Sequence, residues 1–375
     1  MTIEAHGLEV AYGRRRILHG VDFSARPGEV TMIIGPNGSG KTTLMRALIG
    51  EVPAAGTVAI NGKALSQHAA HELAAIRAVL PQDTALAFPF TVAEVVALGV
   101  TAGPILASAH ARRDRIADAL DAVDLPGFAG RYYQELSGGE RQRVQLARVL
   151  CQIWDPVSHH HGPRWLFLDE PVSSLDIRHQ LMIMDLAANY ARRGGGVIAV
   201  MHDLNLTAMF GDRITLISSG EVAATGTPED VLRDETLADV FGCALRVGEV
   251  PRNHLFVLPQ AISAGWLRLP DSSPLFLFDG PADARATILL AHGAGAPMDS
   301  DWMNAVAAAL AGENLRVARF EFAYMAGRRT GAGKKPPPKA EKVMEEYRRA
   351  VAALDAHTPL IIGGKSMGGR VASMV

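Results

Sequence analysis

Cysteine is scarce in this sequence, and its scarcity restricts the class of protein. The 375 residues include only two cysteines, Cys151 and Cys243, which lie far apart and have no metal-type spacing. A disulfide-stabilised secreted domain or a zinc motif needs more cysteines at closer intervals. We therefore expect two buried thiols in a reducing compartment.

An excess of charge of one sign is also lacking. Lys and Arg total 37, Asp and Glu total 39, and the formal net charge is -2. A protein that attracts nucleic acid through its overall field needs a surplus of basic residues. The balance argues against a nucleic-acid partner, and any bound anion must be held by a local site.

Long apolar runs are missing as well. No uncharged stretch reaches the length of about 20 residues that a membrane-spanning helix requires. The first residues also lack the apolar core of a signal peptide. We expect a chain that does not cross a membrane by itself.

What the sequence does contain is enough apolar residues, 48%, for a sizeable core, in a length typical of two or three domains. Short apolar runs that alternate with segments of helical spacing predict a mainly parallel α/β sheet. The predicted strands are 1–25, 30–35, 51–65, 165–169, 196–202 and 213–218, and the predicted helices are 41–50 and most of 82–150.

Composition divides the chain into two predicted domains. The first covers 1–262 and ends in a short tail, 226–262, of helical and strand-like segments. A polar, proline-containing stretch at 263–274 predicts a linker. A second α/β pattern then runs over 275–375.

A glycine-rich segment in the first domain fits the pattern G-x-x-x-x-G-K-[ST], between a predicted strand and a predicted helix. Glycines let backbone N–H groups close around phosphate oxygens, and the helix N-terminus adds a favourable dipole. Lys41 can reach the β- and γ-phosphates, and the Thr42 hydroxyl can bind Mg²⁺. An ordinary glycine-rich turn is the alternative. The candidate nucleotide-binding residues are Gly35, Pro36, Asn37, Gly38, Ser39, Gly40, Lys41, Thr42 and Thr43.

Two acids follow the apolar run 165–168. Ligands of α/β sheets bind beyond the carboxyl ends of the strands. Asp169 is therefore placed to hold Mg²⁺ through water, and Glu170 to orient or deprotonate an attacking water molecule. A solvated acidic pair is the alternative, which the neighbouring phosphate loop disfavours.

A third motif, LSGGE at 136–140, lies between the phosphate loop and the acidic strand. Ser137, Gly138 and Gly139 offer a hydroxyl and backbone donors at the start of a predicted helix. Taken alone, the motif could be a helix N-cap with a flexible lead-in.

Residues 1–262 resemble an ABC transporter ATPase, because six motifs occur in that family's order. These are GPNGSGKT, Gln82 in LPQD, LSGGERQR, LFLDEP, Ser174-Leu175-Asp176 and His202 in VMHD. The resemblance implies a P-loop core with a helical subdomain at about 82–150. It also implies a head-to-tail dimer in which each ATP lies between the phosphate loop of one chain and the Ser137 region of the other.

The resemblance gives roles to three further residues. Tyr12 matches the aromatic residue that stacks on adenine, with a place in the strand core as the alternative. Gln82 would sense the γ-phosphate and Mg²⁺ and relay that state to a membrane partner. His202 would contact the γ-phosphate.

The segments around Gln82 and His202 resemble most closely the importer branch for iron chelates, haem and cobalamin, with haemin-import ATPases as the nearest match. This resemblance implies permease subunits, a periplasmic solute-binding protein and a place at the cytoplasmic face of the bacterial inner membrane. Siderophore or cobalamin import is the alternative. A DNA-associated ATPase of the same superfamily is disfavoured, because no coiled-coil heptads or cysteine clusters interrupt the domain.

Three adjacent histidines, at 159–161, precede the acidic strand. Neighbouring positions cannot all face one ion easily, so a solvated loop is favoured over a metal or haem site. A basic, proline-rich stretch at 328–339 is likewise expected to be a solvated loop.

The second domain resembles the front half of an α/β-hydrolase. Residues 364–368 fit G-x-S-x-G after a predicted strand, so Ser366 matches the nucleophile, and the N–H of Met367 would help to form an oxyanion hole. The acid and histidine of such a triad would follow the serine, and His292 is a poor substitute. We therefore expect a vestigial elbow without ester hydrolysis, and a sheet with an open edge.

Overall fold

A computed structural model of the chain describes residues 1–82, 88–102, 108–158, 160–249, 255, 257–261, 276–281, 284–322, 324–325, 340–354 and 358–375. The chain forms two compact units, Met1–Leu269 and Pro270–Val375. The predicted linker at 263–274 and the basic stretch at 328–339 lie outside the described residues.

The first unit contains 21 described helices and strands, besides short 3₁₀ turns. In chain order they are β1 (Ile3–Tyr12), β2 (Arg15–Ala25), β3 (Val30–Ile34), α1 (Lys41–Leu48), β4 (Ala55–Ile60), β5 (Lys63–Ala64), α2 (Ala70–Ile76), β6 (Arg77–Leu80), α3 (Val92–Ala102), α4 (Ala109–Ala122), α5 (Gly138–Gln152), β7 (Val157–Ser158), β8 (Gly162–Pro163), β9 (Trp165–Asp169), α6 (Ile177–Arg192), β10 (Gly196–Val200), α7 (Leu204–Phe210), β11 (Arg213–Ser218), β12 (Glu221–Gly226), α8 (Pro228–Val231) and α9 (Asp234–Phe241).

The central sheet has the strand order β12-β11-β3-β10-β9-β6. All neighbouring pairs are parallel except β11 with β12. Every residue of β3, β9 and β10 is buried. Parallel strands that are covered on both faces need continuous apolar runs, which explains why these segments stand out in the sequence. The predicted mainly parallel sheet is confirmed.

A second, antiparallel sheet has the order β2-β1-β4-β5. Its buried side chains share a core with β3, β9, β10 and α1. The other face of the central sheet packs against a larger core that includes α3, α5 and α6. Gly99 lets α3 approach α5 closely, because a Cβ atom at this position would lie 1.8 Å from the carbonyl oxygen of Arg148.

One expectation for the end of the first unit, a buried thiol at Cys243, is wrong. Of the predicted tail at 226–262, residues 227–249 and 257–261 contain helices and turns, and 250–254, 256 and 262 lie outside the described residues. Gly242, in the left-handed conformation, ends α9, and the backbone N–H of Val247 then donates to the Asp234 side chain instead of a neighbouring strand. Cys243 follows that glycine and is exposed, whereas Cys151 is buried as expected.

The second unit is a smaller α/β layer. Its described elements are β13 (Leu277–Asp279), β14 (Thr287–Ala291), α10 (Asp301–Gly312), β15 (Arg316–Phe320), α11 (Ala340–Ala353), β16 (Leu360–Gly364) and α12 (Met367–Ala372). The sheet order is β13-β15-β14-β16, with β13 antiparallel to β15. Among the described residues β16 pairs with β14 alone, and Ile361 on β16 is 51% exposed.

No helix in the described part of the chain is long and apolar enough to cross a membrane.

The Tyr347 hydroxyl joins two strands inside the second unit. Its single O–H hydrogen is shared between the carbonyl oxygens of Gly363 and Leu289, at 2.7 and 3.1 Å, and its oxygen accepts the N–H of Gly363 at 3.0 Å. The ring is fully buried, and burial raises the pKa of this phenol to about 12. One side chain thus links backbone groups of β14 and β16.

We predict that Tyr347→Phe weakens the second unit locally. Leaving buried backbone groups unsatisfied costs about 1–3 kcal/mol, so the amides of β14 and β16 should exchange faster in native-state hydrogen–deuterium exchange. Tyr12→Phe, at an exposed position, is the matched control and should leave these amides unchanged. Unaltered exchange in Tyr347→Phe would contradict this account.

Candidate nucleotide site

The glycine-rich segment forms a tight loop between β3 and α1. Gly35 has φ 148°, and a Cβ atom there would lie 2.0 Å from the carbonyl oxygen of Ile217, so only glycine fits. Lys41 begins α1 and donates from Nζ to the carbonyl oxygens of Gly35 and Pro36, both at 2.9 Å. The loop therefore closes around its own lysine.

Burial changes the pKa of Lys41. Lys41 is only 5% exposed, and desolvation lowers the pKa of its ammonium, while the negative charges of Glu170 and Asp169 act in the opposite direction. Ser39 is also buried, and its hydroxyl has no hydrogen-bond partner among the described residues. A buried cation beside an unsatisfied hydroxyl is a suitable environment for a phosphate oxygen.

Asp169 ends β9 opposite the start of α1. Its Oδ1 accepts a hydrogen bond of 3.3 Å from the Thr42 hydroxyl. Burial, and next the charge of Glu170, raise the pKa of Asp169. Thr42, Asp169 and Gln82 line one cavity of about 250 Å³, which Arg46 also borders. Hydroxyl, carboxylate and amide oxygens at one cavity form a donor set that suits a hard divalent cation.

Glu170 lies where three distant parts of the chain meet. Gln82 donates from Nε2 to its Oε2 at 2.9 Å, and Nε2 of His202 lies 2.5 Å from its Oε1. Its backbone has φ 51°, and its carbonyl oxygen accepts from Gln142 at 3.2 Å. The structure therefore brings together Gln82, Glu170 and His202, to which the sequence analysis gives roles at the γ-phosphate or on the attacking water.

His202 also borders the phosphate loop. It lies two residues beyond β10 and lines a cavity of about 280 Å³ together with Gly35, Pro36 and Asn37. Phe241, at the end of α9, lines the same cavity. No sequence motif marks Phe241, and Gln142 belongs to the LSGGERQR motif without an assigned contact, so sequence reasoning missed both.

Ser137 and its two glycines stand at the start of α5. The Ser137 hydroxyl donates to the Glu140 carboxylate at 2.7 Å and accepts the Glu140 N–H at 3.3 Å, which completes a capping box. The described hydrogen bonds of Ser137 stay within its own helix and reach no residue of the phosphate loop. Gly138 is exposed at the same helix end.

Tyr12 is at the end of β1 and is 48% exposed. A residue of the strand core would be covered, so the alternative interpretation of Tyr12 is wrong. The exposed ring leaves a face free for stacking.

Ser158 and Gly162, on either side of the three histidines, pair in the β7–β8 hairpin. The Ser158 hydroxyl accepts the N–H groups of His160 and His161, both at 3.3 Å, and His159 lies outside the described residues. The described residues contain no group of three or more His, Cys, Asp or Glu side chains that could hold a metal ion.

Ser366 in the second unit occupies a sharp turn between β16 and α12, with φ 52° and ψ -109°. His292 is fully buried, and Nδ1 lies 2.6 Å from the Gly293 carbonyl oxygen while Nε2 accepts the Phe322 N–H at 3.1 Å. Both ring nitrogens are engaged with the backbone, so His292 is poorly placed to activate the serine. The absence of ester hydrolysis stays a prediction.

Comparisons with known proteins agree with this geometry. A family model described as ABC transporter matches residues 18–173, and one described as alpha/beta hydrolase domain matches residues 284–375. A solved ATP-binding subunit of an ABC transporter is 24% identical, with a TM-score of 0.55 over 63% of this chain and 94% of that one. A dimeric bacterial ABC transporter cassette is 28% identical, with a TM-score of 0.53 over 60% and 98%.

The fold and the site thus define a P-loop ATPase of the ABC transporter class. Two similar proteins are named hemin import ATP-binding protein HmuV. The one from Mesorhizobium japonicum is 58% identical over 69% of this chain and 98% of its own length, and the one from Ruegeria sp. is 54% identical over 70% and 100%. The chain belongs to the HmuV family of ABC transporter ATP-binding proteins. It is an enzyme that couples ATP hydrolysis to transport.

The raised pKa of Asp169 predicts an unusual pH dependence of stability. A carboxyl group whose pKa is higher in the folded than in the unfolded state opposes folding when it is ionised. This cost is present above the folded pKa and disappears as the pH falls through it. Asp169→Asn should therefore raise Tm at pH 7, and the gain should shrink on acidification.

The measurement is thermal unfolding from pH 7 to pH 4 without nucleotide or divalent cation. Glu221→Gln, at an exposed position, is the control and should have no such effect. A lower Tm for Asp169→Asn at pH 7 would show that its charge stabilises the free protein.

Proposed function

We propose that this chain is the energy-coupling ATPase subunit of an ABC importer for hemin. The hydrolytic part of the proposal rests on the Glu170 carboxylate, which lies between Gln82 and His202 beside the phosphate loop. The assignment of hemin as the cargo rests on similarity along nearly the whole length of proteins named for hemin import. Ferric-siderophore or cobalamin import is the alternative cargo.

Within this proposal each residue acts on ATP through its own chemistry. The buried ammonium of Lys41 and the loop amides hold the phosphates, and Tyr12 stacks on the adenine. Glu170 orients or deprotonates the attacking water, and His202 contacts the γ-phosphate. Thr42, Gln82 and Asp169 would hold Mg²⁺, which when bound neutralises charge on the phosphate oxygens.

The exposed position of Ser137 at the start of α5, away from the phosphate loop of its own chain, supports an assembly of two copies. The Ser137 region would contact ATP held by a second copy of the chain, so we propose a head-to-tail homodimer with two composite sites. Permease subunits and a periplasmic solute-binding protein would complete the importer. The subunit would then be peripheral at the cytoplasmic face of the bacterial inner membrane.

Glu170→Gln tests the hydrolytic role. The amide keeps the size of the side chain but cannot accept a proton, so kcat for ATP should fall by about 10²–10⁴-fold while ATP binding is retained. Steady-state hydrolysis and equilibrium binding of a fluorescent ATP analogue measure the two effects. Glu221→Gln should behave like the wild type, and near-normal turnover by Glu170→Gln would refute the assigned role.

Growth of the source cell on hemin as sole iron source tests the cargo. Lys41→Ala removes the buried ammonium, so cells carrying it should fail to grow on hemin but should grow on simple iron salts. The variant must be present at the wild-type level, in a strain without a second hemin importer. Unchanged growth on hemin would reject this cargo and direct the same assay to siderophores and cobalamin.

A further inference from the structure

The turn that follows α4 is bound to two other parts of the first unit. Asp124 has φ 58°, and its Oδ2 lies 2.9 Å from Nη2 of Arg178 and 3.6 Å from Nε2 of His179, both on α6. Arg143, on α5, donates to the carbonyl oxygens of Val123 and Asp124, at 3.2 and 2.9 Å. The turn is therefore held from α5 and α6 at once.

His179 extends this contact to the segment before α6. Its Nδ1 lies 2.8 Å from Oδ1 of Asp176, and its backbone N–H donates to the same carboxylate at 3.0 Å. These hydrogen bonds lower the pKa of Asp176, with the backbone N–H of His179 as the largest cause. One imidazole ring thus connects the carboxylate that caps α6 with the carboxylate of the α4–α5 turn.

The segment 174–176 also touches the start of α5. A Cβ atom at Gly139 would lie 3.1 Å from the Leu175 side chain and 3.3 Å from the Ser174 carbonyl oxygen. Because Ser137 and Gly139 begin the same helix that carries Arg143, the LSGGE segment, the Asp124 turn and the segment 174–176 meet in one place.

Two of these side chains are shielded from solvent, whereas the Arg178 and Asp124 side chains are 52% and 37% exposed. Arg143 is 8% exposed, and the side chain of His179 is 15% exposed. Desolvation lowers the pKa of Arg143, and the carboxylates of Asp124, Glu140 and Asp176 partly offset that effect. The shielded Arg143 and His179 therefore hold the turn in a definite geometry, to which the more exposed Asp124–Arg178 pair adds a further contact.

We propose that Asp124, Arg178 and His179 are positioning residues that join the LSGGE segment and the segment 174–176 into one rigid surface. None of the three belongs to the phosphate loop or to the Gln82–Glu170–His202 group. The inference rests on the proposed function, in which this surface meets the nucleotide of a second copy. If the surface moves as one unit, closing the dimer presents both segments together.

A double-mutant cycle on the full chain tests this role. Asp124→Asn removes the charge, and asparagine tolerates the left-handed backbone of the turn, whereas Arg178→Gln removes the partner. Each should lower kcat for ATP by about fivefold with KM within about twofold, because the phosphate loop is untouched. The double variant should be no slower than the slower single variant, since both substitutions break the same Asp124–Arg178 ion pair.

Arg192→Ala is the matched control. It removes another ion pair on α6, with Asp185 at 3.6 Å, far along the helix from the segment 174–176. It should keep wild-type kcat, and circular dichroism should show that all variants are folded. Additive losses in the double variant, an increase in KM with unchanged kcat, or an equal loss in Arg192→Ala would each overturn the proposal.

The same assays separate this proposal from the function on which it rests. If Glu170→Gln abolishes turnover but the cycle shows no coupling, the ATPase assignment stands and the positioning role is wrong. If Glu170→Gln leaves turnover intact, the proposed function itself fails.

Discussion

The pairing of β10 between β3 and β9 determines where the groups of the nucleotide site lie. Val200 is in register with Ile33 on one side and with Asp169 on the other. Parallel pairing places the carboxyl ends of all three strands at the same edge. The phosphate loop, the acidic pair and His202 leave the sheet at that edge, and a shift in register by one residue would turn each of them to the opposite face.

Full burial of these strands maintains that register, but it also destabilises the charged groups of the nucleotide site. An apolar environment on both faces holds the strand ends rigidly, and it also desolvates the charged groups that follow them. Lys41 and Asp169 accordingly have pKa values shifted toward their neutral forms. Such a site is less stable alone than an apolar edge would be, and a bound polyanion with its counter-cation offsets that loss.

The sequence predicts the strands and motifs of this site well, because each depends on local pattern. Apolar runs identify β3, β9 and β10, and the glycines around Lys41 identify the loop. The contact of Gln82 and His202 with Glu170 joins residues that are 88 and 32 positions apart, and only the family's motif order suggested it. No sequence pattern predicted the contacts of the Asp124 turn with Arg143 and Arg178, because they depend on how α5 and α6 pack.

The error at Cys243 arose where backbone capping overrides composition. Cys243 has the character of a buried residue, but the left-handed Gly242 ends α9 before the apolar face of that helix can include it. The residues that follow bond to Asp234 on the same helix, which satisfies them without a strand partner.

The arrangement around Glu170 also constrains how the proposed chemistry can proceed. Both carboxylate oxygens are engaged, one with Gln82 and one with His202. A carboxylate accepts a proton from water only through an oxygen with a free lone pair, and each of these oxygens retains one in this geometry. If a γ-phosphate attracts His202, Oε1 becomes still more available, so nucleotide binding and activation of the base would be linked through a single hydrogen bond. The phosphate loop and His202 border one cavity, which makes that exchange possible without a change in the sheet.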